Sequence, residues 1–287
     1  MKAKKLRELL KQPGIIRAPG VYDAWSARLV EMAGFPSAYM TGYGTAASVL
    51  GQPDIGLMTM TEMVAQAKNI AAAIEIPLIA DGDTGYGGIL NVVRTVREYE
   101  RAGAAGIQLE DQVFPKRCGH MEGKQLIPGE EMVAKIRAAS FARRSEDFLL
   151  VIRTDAISVT GFDEALKRGQ MYAGAGADLI FLEALETVEE MKKAAEVIRK
   201  PLLANMVENG KTPFLTGSEL EDIGYKMVIY PVSALYAATR AIIDLLHCLK
   251  EEDSTAGYRA HMLGFSRFND LIGVDGMRAL EKTFMVK

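Results

Sequence analysis

The stretch IPLIADGD (76–83) decides the fold. A short unbroken apolar run, entered through a Pro and left through two carboxylates, reads as a strand buried on both faces that delivers charge at its C-terminal end. Seven other runs have a similar form: GIIRAPG (14–20), SAYMTG (37–42), AAGIQLED (104–111), FLLVIRTD (148–155), ADLIFLEA (177–184), KPLLANM (200–206) and KMVIYPVS (226–233). Helical patterns lie between them, over 23–32, 60–74 behind Thr59 as N-cap, 91–101, 128–142, 163–172 and 188–198. Glycine–alanine stretches such as AGAAG and AGAGAD close helices just before strands. Short buried runs alternating with helices argue for a parallel sheet covered by helices, and eight is the strand count of a (β/α)8 barrel. A doubly wound open sheet is the alternative.

No Pro-, Gly- or Ser-rich linker and no break in composition interrupts the pattern, so one domain is expected over 1–287. The tail, 248–287, is helical in pattern and then less regular. Its apolar residues Leu263, Phe265, Phe268, Leu271 and Ile272 need a partner surface, which a neighbouring subunit would supply.

Composition bounds the function. The chain of 287 residues is 49% hydrophobic and 25% charged, with a formal net charge of −3 and no long basic run. Such a chain builds a large core and offers nothing for nucleic acid. Its 2 Cys make no disulfide framework, which fits a reducing, cytoplasmic setting. The start, MKAKKLRELLKQPG, is basic and amphipathic without the apolar centre of a signal peptide. No uninterrupted apolar stretch is long enough to predict a membrane span.

The strand ends carry the chemistry. The runs finish on Thr41, on Asp81 with Asp83, on Glu110 with Asp111, on Arg153 with Asp155, on Glu183 and on Asn205. A single Asp after a strand is as readily a helix cap. In a barrel, however, all of these ends converge on the face where active sites lie. Asp81, Asp83 and Glu110 would repel one another without a cation, and oxygen ligands of this type suit Mg2+, with Mn2+ as a substitute. Arg153 either forks onto a substrate carboxylate or pairs structurally with Glu183 or Asp155.

The segment KRCGH (116–120) lies in a long connection before the Pro128 helix, where a mobile lid is expected. Lys116, Arg117 and His120 favour the thiolate of Cys118. Nucleophile, general acid or base, and metal ligand are all open to this Cys, the last weakly, for want of other Cys or His partners. Cys248 and His247, inside a helical apolar pattern, read as structural. The glycines of TGYGG (84–88) lack the spacing of a phosphate loop and read as a flexible turn.

In this order, DGDTGYGG, GIQLEDQVFPKRCGH, VIRTDA, FLEA and LLANMVENGKTP resemble the isocitrate lyase/phosphoenolpyruvate mutase superfamily, from about Gly14 to beyond Arg240. KRCGH is the specific element, similar to that of the members that cleave 2-hydroxy-dicarboxylates. The resemblance implies a barrel whose C-terminal helix is swapped between subunits, in a homotetramer built as a dimer of swapped dimers. It implies Mg2+ at Asp81 and Asp83, with Asp54 and Glu110 holding its waters. Thr41, Gly42 and Tyr43 match the segment that receives the α-keto-acid half of the substrate, with Thr where Ser is common. Arg153 matches a carboxylate-binding arginine, Glu183 and Asn205 match further pocket residues, Gly119 and His120 lie on the gating loop, and Tyr39 matches a tyrosine near the reacting carbon.

Two departures bear on the substrate. Relatives that act on a tricarboxylate carry arginines where this chain has Tyr236 and Phe268. Without those cations a third carboxylate would be left unpaired in a closed site. The expected activity is therefore retro-aldol cleavage of 2,3-dimethylmalate to pyruvate and propionate. Cys118 would be the general acid, Tyr39 or a water ordered by Glu110 the base, and His120 and Asn205 donors to the developing carboxylate charge. The alternatives are cleavage of 2-methylisocitrate to pyruvate and succinate, hydrolysis of oxaloacetate, or, from a different class, a non-catalytic barrel that binds a dicarboxylate.

Overall fold

Eight strands run parallel and close on one another in chain order: β1 (Ile16–Val21), β2 (Ala38–Met40), β3 (Leu78–Asp81), β4 (Gly106–Glu110), β5 (Leu149–Thr154), β6 (Leu179–Leu182), β7 (Leu202–Asn205) and β8 (Met227–Tyr230), with β8 pairing back onto β1. The computed structural model describes residues 1–119, 121 and 123–285, in two compact units, 1–235 and 236–287. All eight expected strands form, seven within the apolar runs and β1 running one residue past its run to Val21, and the barrel closes where the alternative was an open sheet.

The helices of the first unit are α1 (Lys2–Lys11), α2 (Ala24–Met32), α3 (Gly42–Leu50), α4 (Met60–Ala73), α5 (Ile89–Arg101), α6 (Gly129–Ala142), α7 (Ile157–Thr160), α8 (Phe162–Ala175), α9 (Val188–Val197) and α10 (Gly217–Ile223). Thr59 caps α4 as expected: its hydroxyl accepts from Glu62 N at 3.3 Å while the Glu62 carboxylate accepts from Thr59 N at 2.8 Å. Thr187 and Thr216 cap α9 and α10 in the same way. Helices α1, α3, α7 and α10 were not anticipated. The last three are short or Gly-rich, and their apolar periodicity is too brief to register.

Strand residues alternate between two cores, as the two-residue period requires. Ile16, Ala18, Tyr39, Ile79, Leu149, Val151, Leu179, Phe181, Leu203, Met227 and Ile229 fill the barrel, and Leu6 of α1 joins this cluster. Met40, Leu78, Ala80, Ile107, Leu109, Leu150, Ile152, Ile180, Leu182, Leu202 and Val228 face the surrounding helices. This parity fixes the site: two residues beyond Tyr39 is Thr41, beyond Ile79 is Asp81, beyond Val151 is Arg153, beyond Phe181 is Glu183, and beyond Leu203 is Asn205. These five inward-facing columns therefore end in polar side chains at the C-terminal rim.

The second unit holds most of α11 (Ser233–Glu252), a 3-10 turn (Ala256–His261), α12 (Phe265–Ile272) and α13 (Val274–Phe284). It begins at Tyr236, earlier than the boundary at Cys248 read from the sequence. Tyr258 Oη donates to Ala241 O at 3.2 Å within it. None of the described residues of α11, α12 or α13 is buried. Among the described residues, no helix is long and apolar enough to cross a membrane.

Candidate active site

Asp81 ends β3, and its side chain is held from three sides. Its Oδ1 accepts from Asp83 N at 3.0 Å and from Gln108 Nε2 at 3.3 Å, and its Oδ2 accepts from Gly42 N at 3.3 Å. Gly42 must be Gly here, since a Cβ would stand 2.7 Å from Asp81 Oδ2. Thr41 caps α3, its hydroxyl accepting from Gly44 N at 3.2 Å, so the strand-end hydroxyl also serves as the helix cap. The amino end of α3, carrying Gly42 and Tyr43, consequently opens onto the carboxylates.

Lys116, from the connection after β4, puts its ammonium among these acids. Its Nζ lies 2.7 Å from Asp54 Oδ2 and 2.8 Å from Asp83 Oδ1. Burial alone would loosen the Lys116 proton, but Asp83, Asp54, Asp81 and Glu110 outweigh it and hold the proton tightly. Burial pushes Asp81 up despite Lys116, and pushes Asp83 up to about 6. Burial likewise drives Glu110 well above the ordinary carboxylate range, against the pull of Arg153.

The donor set fits a hard divalent cation. Glu110 Oε1 is buried with no hydrogen-bond partner among the described residues, and the buried Asp83 Oδ1 faces only the Lys116 ammonium at 2.8 Å in the ion pairs described. No three His, Cys, Asp or Glu among the described residues form a ready-made cage. That is compatible with Mg2+, which is held by one or two carboxylates and keeps several waters.

The raised carboxylates predict a pH dependence. A carboxyl whose pKa is higher in the folded chain than in the unfolded chain, near 4, stabilises the fold at low pH. That stability is lost as pH rises, for Asp83 through about 6. The chain in chelator should thus lose stability between about pH 4 and 7, and Mg2+ should restore it. Thermal unfolding checks this. The gap between Mg2+ and chelator should widen from pH 5 to pH 8, and an equal gap at both would contradict it.

Arg153, the penultimate residue of β5, stands beside Glu110, its register partner on β4. Asp155 accepts from it twice, from Nε at 3.0 Å and from Nη2 at 2.8 Å. Glu183 Oε2 lies 3.2 Å from Nη1 and Glu110 Oε2 3.6 Å from Nε, and the guanidinium stands over the Phe181 ring at 5.3 Å. Asn205 Nδ2 donates to both Glu183 oxygens, at 3.3 and 3.2 Å. Both structural partners envisaged for Arg153 are present together. Asp155 uses two of its five donors, so pairing and carboxylate binding are not exclusive.

The connection 111–128 folds over this cluster. Its stems pair through Val113 N to Gln125 O at 2.8 Å and Ile127 N to Asp111 O at 3.0 Å. Cys118 N donates to Asp54 O at 3.2 Å. Gly119 lies so close to the Arg153–Glu183 pair that a Cβ would stand 2.4 Å from Arg153 Nη2 and 2.5 Å from Glu183 Oε2. His120 lies outside the described residues. Tyr236 sits on α11 and Phe268 on α12, in the second unit.

Tyr39 is fully buried and donates to Gln108 Oε1 at 2.9 Å. Burial first, then Asp81, drives its hydroxyl well above the ordinary phenol range. Gln108, Gln112 and Lys124 also belong to the site, and sequence reasoning gave none of them a role, while Lys116 was read only as a neighbour favouring the Cys118 thiolate and Asp155 only as a strand-end residue and structural partner of Arg153. Gln108 shares the inward parity of Glu110, which was a usable signal. The lysines lie in an irregular connection, where no periodicity points to them.

A family model described as phosphoenolpyruvate phosphomutase matches residues 6–249. The chain is 53% identical over 282 residues to a 2,3-dimethylmalate lyase of Eubacterium barkeri, covering 98% of each. It is 47% identical over 268 residues to a 2-methylisocitrate lyase of Aeropyrum pernix, covering 93% of this chain and 86% of that one. Among solved structures it is similar to a 2,3-dimethylmalate lyase described as a PEP mutase/isocitrate lyase superfamily member, with a TM-score of 0.93 at 38% identity, covering 99% and 95% of the two chains. The rim of carboxylates, the arginine they surround and the cysteine-bearing connection above them stand in a chain that belongs to the PEP mutase/isocitrate lyase superfamily.

Proposed function

We propose that this chain is a Mg2+-dependent carbon–carbon lyase that cleaves 2,3-dimethylmalate to pyruvate and propionate. The observation that carries the reading is the docking of the Cys118–Gly119 backbone onto Asp54 and the Arg153–Glu183 pair, which sets a thiol-bearing lid directly over the acidic rim. The 53% identity to a 2,3-dimethylmalate lyase supports the choice of substrate. So does the sequence, in which Tyr236 and Phe268 stand where relatives that act on a tricarboxylate carry arginines.

Asp81 and Asp83 would hold the ion, with Asp54 and Glu110 ordering its waters. The ion, when bound, supplies Lewis acidity that acidifies the C2 hydroxyl. Arg153 orients the C2 carboxylate, while Thr41, Gly42 and Tyr43 receive the keto-acid half. Of the two bases, Tyr39 fits poorly, because its hydroxyl donates to Gln108 and holds its proton. Glu110, buried with a raised proton affinity, takes the hydroxyl proton through an ordered water. The C2–C3 bond breaks, and its electron pair moves to C3 and into the adjacent carboxylate. Asn205, Glu183 and the lid would line this half, and donors there, among which the sequence reading counts His120, would stabilise the developing charge. Cys118 delivers a proton to C3, and the closed lid keeps water from competing.

Turnover of 2,3-dimethylmalate, 2-methylisocitrate and oxaloacetate, assayed side by side with Mg2+, tests the reading. Dimethylmalate should have the highest kcat/KM. Faster turnover of either rival reassigns the substrate, and turnover of none favours a non-catalytic binding barrel.

We further propose that the tail covers a second copy of the chain in a homotetramer. Its support is the apolar surface of the second unit, where Leu246, Phe265, Met277 and Leu280 are all more than half exposed within one chain. Light scattering should give the mass of four chains, and a monomer would exclude this assembly.

A further inference from the structure

Besides the Lys116 ion pairs, the lid is held to the barrel at a buried point that the proposed chemistry does not use. Lys124 lies on the returning arm of the lid, and its side chain is only 1% exposed. Its Nζ donates to Asp155 Oδ1 at 3.0 Å and to the carbonyl of Gly119. Asp155 is the residue that grips Arg153 through both carboxylate oxygens. The outgoing arm converges on the same carboxylate. Gln112 Nε2 donates to Asp155 Oδ2 at 3.2 Å and to Arg117 O at 2.8 Å, and Gln112 Oε1 accepts from Arg117 N at 2.9 Å. Asp155 is fixed from behind, its N–H donating to Asp111 Oδ1 at 3.1 Å. Asp111 in turn takes Thr154, Tyr172 and Arg168 of the β5–α8 side.

We propose that Lys124 is the latch of the lid, a positioning residue that joins lid closure to the orientation of Arg153 through their shared partner Asp155. When the latch is made, Gly119 is drawn onto the Arg153–Glu183 pair and Cys118 is carried over the site. When it breaks, Asp155 loses one of its two cations and the lid tip loses the tie that Lys124 makes to the Gly119 carbonyl. Burial alone would raise the Asp155 carboxyl, but Arg153 and Lys124 outweigh it and hold it at about 2. The carboxylate is therefore charged, and the latch made, throughout the neutral range. A buried ammonium facing a charged carboxylate is costly to separate, which suits a contact that must choose between open and closed.

This inference rests on reading 113–127 as a lid over the site, but its test needs no substrate, so it can fail or hold independently of the proposed activity. Hydrogen exchange and alkylation of Cys118 by iodoacetamide are compared in wild type, Lys124→Met and Lys124→Arg. In Lys124→Met the lid amides and Cys118 should react at least about tenfold faster while β5 stays protected, and Lys124→Arg should recover most of that protection. Equal lid exchange and alkylation in wild type and Lys124→Met would overturn the latch. Should Lys124→Met loosen β5 as well, acetic anhydride on the wild-type chain decides. A latched Lys124 reacts at least about tenfold more slowly than the half-exposed Lys193, and an equal rate overturns the proposal.

Discussion

Replacing Cys118 with Ser is expected to lower kcat for dimethylmalate cleavage by about 10^2- to 10^4-fold, the usual worth of a positioned proton donor. The substitution changes one atom. The backbone bond from residue 118 to Asp54 O does not involve the side chain, so the lid should still dock. What is lost is acidity: a thiol titrates near pH 8 to 9, close to the working pH, whereas an aliphatic hydroxyl holds its proton far more tightly. Because the step proposed for Cys118 follows the breaking of the C2–C3 bond, the variant should still bind pyruvate with Mg2+. Steady-state kinetics and a pyruvate titration check both halves. Turnover near wild type would remove Cys118 from the chemistry.

Arg153→Met should be the most damaging single change to stability. Arg153 is ringed by Asp155, Glu183 and Glu110, all within 3.6 Å and all buried. Taking away the cation leaves carboxylates facing one another in a dry site, which costs about 3–5 kcal/mol. The expected result in urea is a large fall in the unfolding midpoint with an unchanged slope, together with loss of cleavage. A change within the ~0.5 kcal/mol typical of surface substitutions would contradict the ion cluster described here.

The barrel was legible because strand burial on both faces leaves an unmistakable trace, eight apolar runs, six of them closed by polar or charged residues. Most of the rim was legible for the same reason. What the runs alone did not separate was inward from outward. Asp111 follows Glu110 directly and looks equally catalytic in sequence, yet its parity turns it outward to Arg168 and Tyr172. Asp155 looked like a structural partner of Arg153 and is one, but it also anchors the lid. Lys116 and Lys124 were hidden because irregular backbone has no period, and only folding reveals which acids a connection's lysines meet. Tyr39 was read as a possible base from its place near the rim. Its burial and its bond to Gln108, both tertiary facts, turn it into a donor.

Cleavage of 2,3-dimethylmalate in D2O, with the products followed by NMR, tests the account at its centre. A lid cysteine that delivers the proton within a closed site predicts pyruvate and propionate in equal amounts, the propionate carrying one deuterium at C2 with a single handedness. Racemic labelling would mean that the carbanion takes its proton from open solvent, and the absence of both products would contradict the lyase reading itself.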